Sequence, residues 1–301
     1  MAVTAPRRIF WETPAMTRKT VHLLIIDPQN DFCDLPSDAR QGGETPALPV
    51  PGAHADMLRL AALIERAGEG IDGITITLDS HLRLDIAHPG FWRQGGGEPV
   101  APFTPIRAVD VRTGAFQPRV AEALPRAAAY LGALEARGRY VHMVWPVHCE
   151  LGSWGHNVHA AVQRAYSRWE DATGVNAEKF LKGLNPWTEH YSAIRAEVPS
   201  PASPDTLVNN VLLDRLASAD EILVAGEAGS HCVKATVEDI IAYRPTMAAR
   251  IVLLADCMSP VAGFAEQQTA FIENLRARGA RIATAGEILP EFSRSRGASQ
   301  C

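Results

Sequence analysis

Five short apolar runs, each closed by turn or polar residues, constrain the fold of this chain most: VHLLIID at 21–27, GITITLD at 73–79, YVHMVW at 140–145, EILVAG at 221–226 and RIVLLAD at 250–256. β-Branched runs without clean alternation suit strands buried on both faces. Between them, segments 55–67, 119–137, 157–169, 209–218, 231–243 and 264–278 carry apolar residues at helical spacing. Pro125 falls inside the second of these, where it must kink the helix or mark its real start. Alternating strands and helices predict an α/β fold with a mainly parallel sheet and helices on both faces, because parallel strands need right-handed crossovers. A chain of 301 residues with 47% apolar composition can supply the core.

In such sheets, functional groups gather beyond the carboxyl ends of the strands. Asp27 ends the first run, Asp79 and His81 the second, Trp145 and His148 the third, and Cys232 follows the fourth. Polar chemistry is therefore expected along one edge of the sheet. The Gly- and Pro-rich segments 34–52, 93–118 and 197–205 read as long loops, which commonly act as lids or oligomer contacts. The tail from about 291, FSRSRGASQC, reads as frayed.

A net charge of −5, with no Lys/Arg-rich run, argues against nucleic acid or an anionic membrane as partner. No apolar run approaches the roughly 20 residues of a membrane span, and the N-terminus lacks the apolar core of a secretory signal. The five cysteines, Cys33, Cys149, Cys232, Cys257 and Cys301, are odd in number, widely spaced and without a CxxC pair. They read as free thiols of a cytoplasmic protein.

GEAGSHCVKATVED, residues 226–239, places Cys232 between a small-residue turn and the start of a helix. Unpaired amides at a helix N-terminus favour a thiolate, and Gly226, Ala228, Gly229 and Ser230 allow a sharp turn that frees amides for an oxyanion. Taken alone, Cys232 is as easily a small buried hydrophobe. Asp27 is likewise a common cap after a strand, and Lys182 beside Gly183 a common solvated helix end. Asp79 and His81, two apart at a strand end, can face the same way. With His148 they form a carboxylate and two imidazoles, a set suited to zinc, iron(II) or manganese with open positions. The alternative for this trio is a surface loop with His148 capping a strand.

In their order along the chain, IIDPQNDFC (25–33), LKGLNPWTEHYS (181–192) and GEAGSHCV (226–233) resemble motifs of the isochorismatase-like cysteine hydrolases, and within them the nicotinamidases. The resemblance covers roughly residues 20–285. It implies a three-layer α/β/α sandwich around about six mainly parallel strands: a single domain over 20–290, preceded by an extension at 1–19, followed by a flexible tail at 291–301 and carrying an inserted region at about 82–138. It also implies a triad of Asp27, Lys182 and Cys232, a cis peptide at Glu227–Ala228, and an oxyanion hole formed by the amides of Ala228 and Cys232. D-x-H at 79–81 with W-P-x-H-C at 145–149 is similar to the family's metal motif. That implies one divalent transition metal, Zn2+ or else Fe2+ or Mn2+, on Asp79, His81 and His148, with His88 as a further ligand; no organic cofactor is implied.

Two departures stand out. His148 lies far downstream of His81, beyond a Gly/Pro-rich loop and an extra helix, and position 80 is Ser where an aromatic residue is common. Phe32, Trp145, Tyr191 and His231 fall where the resemblance implies a substrate pocket, although any one of these rings is as easily core packing. The implied activity is hydrolysis of a small carboxamide to carboxylate and ammonia, with nicotinamide as the leading substrate in a homo-oligomeric enzyme. Other family amides, carbamoyl or ureido, are the alternative. A silent binding or oligomerisation module is a further one, against which the three triad residue types speak. Isochorismatase itself is disfavoured because it lacks the cysteine. His156 and His159, three apart, read as a polar helix face.

Overall fold

A computed structural model describes residues 18–40 and 42–298. Six parallel strands form the central sheet: β1 (Val21–Ile26), β2 (Gly73–Asp79), β7 (Glu178–Lys182), β8 (Glu221–Gly226), β9 (Ile251–Leu254) and β10 (Arg281–Ala283), in the spatial order β10-β9-β8-β1-β2-β7. Two antiparallel pairs lie outside it. They are β3 (Trp92–Gln94) with β5 (Phe116–Pro118), and β4 (Thr104–Ile106) with β6 (His142–Val144). The run at 140–145 is thus not a strand of the central sheet. Its place is taken by β7, whose alternating exposure marks it as the sheet's outer strand.

The helices are α1 (Ala53–Ala67), α2 (Ala108–Arg112), α3 (Leu124–Arg137), α4 (Ala160–Thr173), α5 (Asn210–Ala217), α6 (Cys232–Tyr243), α7 (Ala265–Ala277) and α8 (Ala285–Ala298). Pro125 lies in the first turn of α3, where its missing N–H costs nothing, so it marks the helix start. From β1 the chain winds one way through α1 to β2, and from β8 the opposite way through α6 to β9. Right-handed crossovers in opposite directions place α1 and α4 on one face and α6 and α7 on the other. They also make the β1/β8 boundary the switch point, where the loops after two adjacent strands diverge and leave a crevice.

The core strands are buried throughout: Leu23 to Ile26 and Ile222 to Ala225 are at 0% exposure. Gly226 ends β8 at φ +119°, with Ile26 O only 1.9 Å from where a Cβ would stand. Only glycine tolerates both conditions. Gly226→Ala should therefore destabilise the protein by about 1–3 kcal/mol or more, read as a lower urea midpoint with an unchanged slope.

The region expected as an insertion, about 82–138, does not form the long loop expected at 93–118. It holds β3, β4, α2, β5 and α3 around its own apolar cluster, which includes Ile86, Trp92, Ile106, Tyr130, Leu131 and Val144. The tail also departs from expectation. α8 continues to Ala298, and Phe292 is buried, with its ring against Gly70. Most of the 1–19 extension, and Cys301, lie outside the described residues. Among the described residues, no helix is long and apolar enough to cross a membrane. Cys33, Cys149, Cys232 and Cys257 are free and buried.

Candidate active site

Asp27 follows β1 directly, Asp79 closes β2, Lys182 closes β7, and Cys232 opens α6 after the turn that leaves β8. The four side chains meet because parallel strands in register end at one level. Asp79 pairs with Lys182 across β2/β7, and Ile26 with Gly226 across β1/β8.

Lys182 Nζ lies 2.9 Å from Asp79 Oδ1, 3.0 Å from Asp27 Oδ2 and 3.6 Å from Cys232 Sγ, and it donates to His190 O at 2.9 Å. Thr77 donates to Asp27 Oδ1 at 2.6 Å. Asp27 Oδ2, although close to the ammonium, accepts no aligned hydrogen bond. The misalignment leaves a lone pair that the thiol proton can use. Lys182 is 3% exposed and Asp27 0%. Burial opposes the lysine's charge, but Asp27 and Asp79 outweigh it and hold the ammonium well above its ordinary range. Burial also raises Asp27, only partly offset by Lys182.

Cys232 departs from expectation. Burial pushes its thiol well up, Lys182 offsets this only in part, and the neighbouring carboxylates add to the rise. The resting group is therefore a thiol, despite its place at the start of α6, and it needs a base to become nucleophilic. The Glu227–Ala228 peptide is cis. Among the described residues the amides of Ala228 and Cys232 donate to nothing, while those of His231 and Val233 are spent on Ala228 O. Gly229 N donates to Ser259 O, Glu227 Oε2 accepts from Ser259 N at 3.1 Å, and Ser230 Oγ accepts from Val261 N. The segment 259–261 thus holds the turn from behind.

The three histidines His81, His88 and His148 offer ring nitrogens within 4.8 Å of one another, all buried. Asp79 Oδ2 lies 3.2 Å from His81 Nε2 and 3.5 Å from His148 Nε2. His81 Nδ1 lies 3.1 Å from Asp85 Oδ2, a carboxylate that orients the ring. Three imidazoles and one carboxylate, with a second carboxylate behind them, form a donor set that fits a divalent transition metal. The insertion does not separate these groups. It folds on its own cluster and returns the chain so that His81 N bonds Cys149 O and Trp145 N bonds Ala87 O.

Phe32, Trp145, Tyr191 and His231 line one narrow cavity with Asp79, His148, Glu189 and Cys232. Its volume is about 20 Å3, room for about one water. A planar ligand therefore enters only if ring side chains shift. Phe264, 4.7 Å from His231 between ring centres, and the exposed Phe103, 6.0 Å from Trp145, border that region.

Sequence reasoning missed Glu189, Asp85 and Gln29. Glu189 is 3% exposed, its Oε2 has no partner, and burial pushes its carboxyl up to about 7. Gln29 braces the site, accepting from Asp79 N at 2.7 Å and donating to Asp79 O and His156 O. His156 and His159 do not share a helix face: His156 lies in the preceding turn, and His159 caps α4 by accepting from Ala161 N.

No protein-family model and no curated sequence matches the chain. Solved structures do. The yeast nicotinamidase Pnc1p bound to the inhibitor nicotinaldehyde aligns at TM-score 0.59 and 18% identity, over 88% of this chain and 100% of that one. A nicotinamidase/pyrazinamidase of Acinetobacter baumanii aligns at 0.57 and 16%, over 90% and 99%. An isochorismatase-like hydrolase of Alkaliphilus metalliredigens aligns at 0.50 and 16%, over 91% and 99%. The chain therefore shares the fold of these nicotinamidases and of this isochorismatase-like hydrolase.

Proposed function

We propose that this protein is a cysteine amidohydrolase that converts a small planar carboxamide, nicotinamide first among candidates, to its carboxylate and ammonia. The observation that carries the reading is the meeting of one thiol, one carboxylate whose Oδ2 accepts no aligned hydrogen bond, and one ammonium beside two undonated amides. Each part has a task in acyl transfer. Asp27 Oδ2 takes the Cys232 proton as Sγ adds to the amide carbon, and the carbonyl oxygen accepts from the amides of Ala228 and Cys232. Asp27 then returns the proton to the nitrogen, the C–N bond breaks and ammonia leaves a thioester. A water, deprotonated by Asp27, adds to the thioester carbon. The C–S bond breaks, and the sulfur regains its proton. Throughout, the Lys182 ammonium balances whichever of Asp27 and Cys232 carries the negative charge.

Asp79, His81, His148 and His88 would hold a divalent transition metal beside the pocket. Such an ion supplies a Lewis-acid seat for a ring nitrogen or a water. Phe32, Trp145, Tyr191 and His231 would hold the ring by stacking and edge contacts.

The reaction is tested by ammonia release from an amide panel of nicotinamide, carbamoyl and ureido compounds. Nicotinamide should give the highest kcat/KM, and preference for a ureido compound would shift the substrate class without touching the chemistry. The metal site is tested by elemental analysis. About one transition metal per chain is expected, falling below a tenth of that in His81→Ala, a change that leaves the Lys182–Asp79 pair in place. Full metal content in that variant would refute the ligand set.

A further inference from the structure

A second cavity, larger than the one at Cys232, lies elsewhere in the fold. It measures about 720 Å3 and lies between α1, α4, the outer strand β7 and the segments around 35–40 and 154–159. That volume is in the range of small-molecule sites.

Its walls are charged against the trend of the chain. The sequence carries a net charge of −5, yet this cavity is lined by Arg40, Arg164 and Lys179 with one acid, Asp38. None of the three cations pairs with a carboxylate among the described residues. Arg40 Nε donates to Leu35 O at 2.9 Å. Lys179 Nζ reaches only Ala177 O at 3.4 Å and lies 4.7 Å over the Tyr166 ring. Arg164 makes no hydrogen bond or ion pair there. Uncompensated like charges around a concave surface raise its potential and draw in an anion.

Two histidines add a directed donor. His159 Nδ1 accepts from Ala161 N at 3.2 Å, so this nitrogen carries no proton. His159 Nε2 lies 2.9 Å from His54 Nδ1 and must donate to it. His54 Nδ1 is then the acceptor, so the one N–H of the neutral His54 ring, which lines the cavity, sits on Nε2. The same cavity has ring surface in the half-buried Trp154.

We infer that this cavity is a binding site for a small organic phosphate, its phosphate group held by Arg40, Arg164, Lys179 and His54 Nε2–H and its planar part set against Trp154. Three cations and one directed N–H match the oxygens of a phosphate monoester, and the remaining volume exceeds what inorganic phosphate fills.

Calorimetric titration of the full chain with adenosine monophosphate, and separately with inorganic phosphate, tests this. Both should bind, the nucleotide at least about tenfold tighter, with affinity falling as salt rises. The double variant Arg164→Glu/Lys179→Glu should lose at least about tenfold in nucleotide affinity while keeping its circular dichroism spectrum and its basal amide hydrolysis. Two single variants, Arg164→Ala and Lys179→Ala, keep the test valid if the double variant does not fold, each losing a several-fold share. Absence of binding by both probes at millimolar concentration would overturn the proposal. So would equal binding of the two probes, or nucleotide affinity unchanged in the folded charge variants.

Discussion

Replacing Cys232 with alanine is expected to abolish amide hydrolysis, by about 10^4-fold or more in kcat, while the protein stays folded. The size follows from the roles at the site. A covalent nucleophile is required in both half-reactions, and removing one member of a unit that acts together costs nearly as much as removing all of it. The stability expectation follows from what is left. Only Sγ is lost from a buried position, the Lys182 ion pairs to Asp27 and Asp79 do not involve it, and alanine suits the first turn of α6. The change in unfolding free energy should stay within about 1 kcal/mol. Ammonia release by the purified variant, set beside a urea melt, separates the two effects. Activity retained at one part in ten or more would remove Cys232 from the chemistry.

Lys182→Met carries the second large effect, this time on both stability and activity. The lysine is 3% exposed and lies within 3.0 Å of two carboxylates that are themselves buried. Methionine fills similar volume but strands Asp27 and Asp79 without a counter-charge. Breaking a buried ion pair from one side costs about 3–5 kcal/mol, far more than the pair's net worth when whole. A solvated lysine at a strand end would instead cost within about 0.5 kcal/mol. Urea midpoints distinguish the two outcomes directly. Activity should fall by at least about 10^2-fold as well, because nothing then balances the charge that passes between Asp27 and Cys232.

The parts of the fold legible in the sequence were those where one physical signal dominates. β1, β2, β8 and β9 are apolar because both of their faces are covered, and an uninterrupted apolar run can do little else. β7 was not legible. As an outer strand it reads EKFLK, and its pairing comes from β2 rather than from its own composition. The run at 140–145 misled for the opposite reason: its apolar side chains serve the small cluster of the insertion, Val144 among them, and not the central sheet.

At the site, Asp27, Asp79 and Cys232 could be placed on one edge because strand ends in a parallel sheet share one level. The distance from His81 to His148 along the chain looked like an objection. It dissolves once the insertion folds on its own core and closes back on Ala87 and Cys149. What no pattern could supply was burial. The helix start at Cys232 suggested a thiolate, but complete enclosure with two carboxylates close by keeps the proton on sulfur. Glu189 and Asp85 stayed hidden because loops bring them in, and neither lies at a strand end or on a periodic face.

The most direct test of the central claim is mass analysis of the protein, acid-quenched during turnover of nicotinamide. The mechanism predicts a transient acyl adduct on the peptide containing Cys232, absent in Cys232→Ala and decaying as ammonia release ends. Steady ammonia release with no adduct on that peptide, persisting in Cys232→Ala, would contradict it.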